Sequence, residues 1–168
     1  MTRDEFWELI EATRPTGMWA ALHAGTLELK LQTLPEDEIV SFERHFTALM
    51  AESYRWDLWG AAYIVNGGCS DDGFAYFRAW LISQGRRFFT KCLADPDAVA
   101  ARADRDGENE DEEFMHAAAE AFREKTGRDL PGIGIVQPRE PAGTRWQENE
   151  LPRLFPRTAK KFRLSSPE

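Results

Sequence analysis

The run WDLWGAAYIVNGGCSDDGFAYFRAWLI, residues 56–82, decides the fold. Over residues 56–65 the apolar side chains leave no broad polar face, the pattern of a helix buried nearly all round. Asn66-Gly67-Gly68 predicts its end, because glycine accepts the left-handed backbone beyond a helix C-terminus. Ser70 predicts the cap of a second helix, with Asp71 and Asp72 in its first turn to complement the helix dipole. Phe74, Tyr76, Phe77, Trp80, Leu81 and Ile82 again surround most of the axis, and Gly85 is expected to stop it. Two apolar helices meeting at a glycine elbow imply the hub of an α-helical core.

Amphipathic helices flank this hub. Thr2 and Glu5 have capping-box spacing, and Phe6, Trp7 and Ile10 make one apolar stripe. Pro15, Thr16 and Gly17 are expected to break that helix, and Trp19, Leu22, Leu27 and Leu31 suit a second one, interrupted near Gly25. After Pro35, the acids Glu36, Asp37 and Glu38 lead into Ile39, Phe42, Phe46, Leu49 and Met50 at steps of three and four. Arg86 to Leu93 reads as a shorter helix, and a turn starts at Asp95-Pro96. Phe114, Met115, Ala118 and Phe122 mark another helix, with Gly127 as its stop. Pro131, Pro138, Pro141, Pro152, Pro156 and Pro167 crowd the end of the chain, where regular helix is improbable and Ile133, Ile135 and Val136 suit a short extended piece. Trp146, Leu151, Leu154 and Phe155 are expected to anchor that segment. The reading is a mainly α, single compact helical domain over residues 1–129, with an irregular proline-rich tail, residues 130–168, packed on it.

Composition bounds the function. The chain has 168 residues, 42% of them apolar, with 11 Phe, 6 Trp and 3 Tyr, which is too apolar and aromatic for a disordered protein. Its 21 basic and 29 acidic residues leave a net charge of -8, which argues against nucleic acid or an anionic membrane as partner. Cys69 and Cys92 are too few for a disulfide framework or a zinc cluster. The first residues lack the apolar stretch of a secretory signal, and no uncharged run reaches membrane-spanning length, so the expected location is the cytoplasm. Charge is uneven: residues 104–124 carry nine acids and two arginines, and residues 151–168 carry five basic residues and one acid. Both are read first as solvated surface; the basic tail can also fold back on the acidic helix or recruit an acidic partner.

The stretch over residues 56–85, above all Gly67-Gly68-Cys69-Ser70-Asp71-Asp72 and Tyr76-Phe77-Arg78-Ala79-Trp80-Leu81-Ile82, resembles family 4240 of the domains of unknown function, a bacterial family frequent in actinobacteria. The Phe6-Trp7 helix and Asp95-Pro96-Asp97 extend the resemblance over most of residues 1–103. It implies a compact helical domain and supplies no catalytic residue.

Site candidates come from the few charges inside the apolar hub. Arg78 shares a helix face with Phe74 and Leu81, so its guanidinium is expected to pair with Asp57, Asp71 or Asp72, or to reach water at the end of a buried stem. The sharper reading makes Arg78 the anchor of a pocket lined by Trp56, Trp59, Tyr76 and Trp80, suited to a small anionic ligand or an unidentified protein. Asp57, Asp71 and Asp72 are a candidate set for a hard cation. Ser70, Asp71 and Asp72 are equally ordinary helix-start chemistry. Cys69 precedes a helix start, but Asp71 and Asp72 oppose thiolate formation, and His23, His45 and His116 are scattered. The reading is a non-enzymatic binding or interaction module that needs no cofactor; the alternative is a small enzyme using the same pocket, with or without a divalent cation.

Overall fold

The computed structural model describes residues 1–15, 22–107 and 109–164. Thr16, Gly17 and Trp19, expected at the break and the start of the second helix, lie outside the described residues, as does Pro167. The helices are α1 (Arg3–Thr13), α2 (His23–Gln32), α3 (Glu36–Glu52), α4 (Trp56–Val65), α5 (Asp71–Ser83), α6 (Arg86–Ala94), α7 (Glu112–Thr126), α8 (Leu151–Leu154) and α9 (Pro156–Phe162), with 3-10 turns at Pro96–Ala101 and Glu148–Glu150. Among the described residues there is no strand, and no helix is long and apolar enough to cross a membrane. The protein is an all-α fold.

The caps form as the side chains dictate. Thr2 Oγ1 accepts from the Glu5 amide at 3.2 Å, and Glu5 accepts from the Thr2 amide at 2.6 Å. Ser70 Oγ accepts from the Gly73 amide at 3.1 Å, and Asp111 accepts from the Phe114 amide at 2.8 Å. The apolar stripes meet in a core cluster that runs from Phe6 and Trp7 through Phe42, Leu58 and Phe77 to Phe155 and Ala159. α7 packs along α2, α3 and α5, while α9 packs on α4 and the Pro96–Ala101 turn.

The tail departs from expectation in part. Residues 130–147 are irregular, although Ile133, Ile135 and Val136 form no strand and Val136 is 89% exposed. Beyond them two short helices form where regular helix was expected to be improbable. Their prolines, Pro152 and Pro156, sit in the first turn, where the missing N–H costs nothing. Among the described residues the basic side chains of the tail form no ion pair with the acidic segment. Arg157 pairs with Asp95 and Asp97 instead, and Lys161 donates to the Ala100 carbonyl at 2.8 Å. Backbone bonds also tie Ala142 to Tyr54 and Trp56, at 2.9 Å each.

Gly60, inside α4, is required by this docking. A Cβ there would lie 2.6 Å from Phe155 Cε2 and 3.0 Å from the Trp146 ring, whose Nε1 donates to the Trp56 carbonyl at 2.7 Å. Gly60→Val is therefore expected to lift the tail and destabilise the protein by about 1–3 kcal/mol. Thermal melting together with limited proteolysis of the tail checks this. An unchanged melting curve and an equally resistant tail would show that Phe155 and Trp146 are not seated on α4.

Candidate functional site

Arg78 is buried, at 8% exposed, but not by an acid. Its Nη1 donates to the Met50 carbonyl at 2.6 Å, in the last turn of α3, and its Nε donates to the Phe74 carbonyl at 3.3 Å. The guanidinium lies 4.8 Å from the Tyr54 ring centre and 4.9 Å from that of Phe74. The expected ion pair is thus replaced by a helix C-terminus, whose carbonyls carry partial negative charge, and by two aromatic faces. Burial pulls the Arg78 pKa down to about 10. Arg78→Ala is expected to destabilise by about 2–4 kcal/mol, because it opens a cavity between two rings and leaves the Met50 carbonyl with only a 3.3 Å contact to Ser53 Oγ. Arg78→Met restores the stem and should recover about half of that. Chemical denaturation measures both, and two variants as stable as the parent would refute this account of Arg78.

The three acids do not assemble into a metal site. Asp57 is bound by Arg55, with Nε at 3.0 Å and Nη2 also in contact, while Asp71 and Asp72 are exposed in the first turn of α5. Among the described residues no group of three or more His, Cys, Asp or Glu could hold a metal ion. The aromatic candidates come together only in part: Trp56 and Trp59 stack, while Tyr76 and Trp80 lie apart from them. Trp56 stacks on Trp59 at 5.2 Å, Trp59 stacks on Phe74 at 4.8 Å, and Arg145 covers Trp56. Tyr76 donates its hydroxyl to Glu112 at 3.0 Å, and Trp80 packs against Phe77 and Phe88. Arg78 therefore faces Tyr54 and Phe74, not an open pocket. Burial pushes both thiols up to about 12, and no hydrogen bond between described residues links either to a histidine.

The structure places a cleft elsewhere, of about 890 Å3, where the end of α1, the start of α2, the end of α5 and the approach to α7 converge. That is the size range of small-molecule pockets. Of the sequence candidates only Trp80 lines it. Arg14 and Arg102 stand on its wall, and both donate to one acceptor, the Gln84 carbonyl at the C-cap of α5, Arg102 at 2.6 Å. Arg102 also lies 4.6 Å from the centre of the Phe88 ring. Burial, and then the charge of Arg14 beside it, lower the Arg102 pKa. Among the described residues neither arginine has a carboxylate within ion-pair distance. Gly85 makes this corner possible. Its φ is +90°, and a Cβ there would lie 3.1 Å from Glu11 Oε1 and 3.2 Å from Arg14 Nη1.

His23 lines the same cleft, 4% exposed and 4.9 Å from the Phe114 ring. Its Nε2 lies 3.1 Å from the Ile10 carbonyl. Burial holds the pKa down at about 4, so the ring is neutral at neutral pH. Asp104, Asp111, Glu112 and Glu113 line the remaining side. Nothing in the spacing of Arg14, His23 and Arg102 announces this site, because only the packing of α1, α2 and α5 brings them together. What the geometry defines is an all-α protein with an open cleft, cationic at one end and acidic along the other side.

The chain belongs to the family described as Protein of unknown function (DUF4240), which matches residues 1–124. No curated protein matches the chain, and neither does any solved structure. The matched stretch contains every cleft residue named above, whereas α8 and α9 lie beyond it.

Proposed function

We propose that this protein is a cytosolic, non-enzymatic binding module whose cleft holds a small ligand by an anionic group placed against Arg14 and Arg102. One observation carries this reading: two guanidiniums converge on the single Gln84 carbonyl, at the wall of a ligand-sized cleft, with Glu11 near by but no carboxylate among the described residues within ion-pair distance. Two like charges side by side repel, and an oxyanion between them relieves that repulsion while accepting the N–H groups the carbonyl leaves over. The Gln84 carbonyl and the negative end of α5 hold the pair in place before the ligand arrives. Two free thiols suit the reducing compartment proposed.

Inorganic phosphate is the first probe. Phosphate and sulfate stabilise folded proteins generally by exclusion from their surface, so a melting temperature is not the readout. The readout is a saturable NMR shift at the Arg14 and Arg102 Nε–H and the Trp80 indole N–H. We expect saturation in the parent and its loss in Arg14→Gln/Arg102→Gln. Shifts that stay linear, or that persist in the double variant, would refute the reading.

A further inference from the structure

The cleft has two chemically opposite sides. Arg14 and Arg102 can only donate hydrogen bonds. Asp104, Asp111, Glu112 and Glu113, when ionised, can only accept them. The deciding group is His23. Its Nε2 faces the Ile10 carbonyl at 3.1 Å and Thr13 Oγ1 at 3.3 Å. A carbonyl cannot donate, so the proton sits on Nε2. Thr13 sends its own proton to the Leu9 carbonyl at 2.9 Å, which leaves its oxygen free to accept as well. The neutral ring therefore presents a bare lone pair at Nδ1. Among the described residues no hydrogen bond reaches Nδ1, and no buried side-chain nitrogen or oxygen is left without a partner. His23 lines the cleft, so Nδ1 is the acceptor its ring has left for a ligand there.

Resting on the anion site proposed above, we infer that the ligand is an oxyanion bearing its own hydrogen-bond donor, and that His23 Nδ1 accepts that donor. Hydrogen phosphate, a singly protonated phosphomonoester and a 2-hydroxycarboxylate share this chemistry. Sulfate and a plain carboxylate lack it; they would bring lone pairs toward the imidazole lone pair and the acidic side. A site built to accept a donor discriminates strongly against the analogue that lacks it.

The test uses two matched pairs near neutral pH at constant ionic strength: phosphate against sulfate, and glycolate against acetate, read by the same saturable NMR shifts. In the parent, phosphate is expected to bind at least about tenfold more tightly than sulfate, the size of one well-placed hydrogen bond. Glycolate should likewise exceed acetate if the natural ligand is a hydroxycarboxylate. Discrimination in the phosphate pair alone assigns a phosphate, and in the glycolate pair alone a hydroxycarboxylate. His23→Phe should bring the ratio close to one while the arginines still bind sulfate; if that variant does not fold, the ratios in the parent decide alone. Equal binding within both pairs overturns this inference and leaves the arginine site standing. No saturable shift from any of the four overturns both.

Discussion

Asp97→Ala is expected to destabilise the protein by about 2–4 kcal/mol, the sum of a lost helix cap and a buried hydroxyl and amide left without their acceptor. Asp97 is 5% exposed, and its carboxylate serves as the N-cap of α9 from a different part of the chain. It accepts from the Arg157 amide at 2.9 Å, the Thr158 amide at 2.8 Å, Thr158 Oγ1 at 2.7 Å and Arg157 Nε at 2.9 Å. Phe155 in the preceding turn cannot cap with its side chain, so the task passes to Asp97. Alanine leaves a fully buried Thr158 hydroxyl and amide without that acceptor, which is the costly case. Burial alone would raise the Asp97 pKa, but these hydrogen bonds outweigh it and hold the pKa below its usual value. Its contribution is therefore present above the usual aspartate range and is lost as pH falls through the lowered value. Chemical denaturation gives the magnitude, and Asp97→Asn, which keeps one acceptor oxygen, should recover part of it. An alanine variant within about 0.5 kcal/mol of the parent, the range of an ordinary surface change, would show that the clasp does not hold the tail.

The second large effect concerns pH and two groups with opposite signs. His23 is neutral in the fold, with a pKa of about 4 against 6.5 ordinarily, because burial penalises its charged form. Its contribution is complete above 6.5 and is lost as pH falls from 6.5 to about 4. Glu43, on α3, is pushed up from 4.5 to about 7, again by burial, and the bond from Thr47 Oγ1 at 3.0 Å only partly offsets this. Its contribution is complete below 4.5 and is lost as pH rises from 4.5 to about 7. Between 4.5 and 6.5 the two slopes cancel, so the parent should show a nearly flat stability profile there. Glu43→Gln keeps an acceptor for Thr47 and removes one slope. The variant should then lose roughly 3 kcal/mol between neutral pH and pH 4, the His23 term alone. Urea denaturation across this range measures it. A variant profile parallel to the parent's would contradict the burial of one or both groups.

The helices were legible where local chemistry decides them. Thr2 with Glu5, Ser70 with Asp71 and Asp72, and the stripe from Ile39 to Met50 each name their own element. The tail was less legible because proline reads as a breaker in the body of a helix and as a starter in its first turn. Position within an element, not residue type, decides which applies to Pro152 and Pro156. Arg78 illustrates the limit for buried charge. Its spacing placed it among apolar side chains, but whether an acid or a carbonyl meets it depends on how α3 lies against α5, which the Met50 contact reveals. The cleft was not legible at all. Arg102 stands far from Arg14 and His23 in the chain, and Gln84, the acceptor that the two arginines share, contributes its backbone rather than its side chain.

The most direct test of the anion site is a crystal structure grown with arsenate, which carries protons as phosphate does and is located by anomalous scattering. The account places one arsenate within hydrogen-bond reach of both Arg14 and Arg102, beside Trp80 and His23. Arg14 and Arg102 each closed onto a carboxylate, with arsenate bound elsewhere or nowhere, would contradict it.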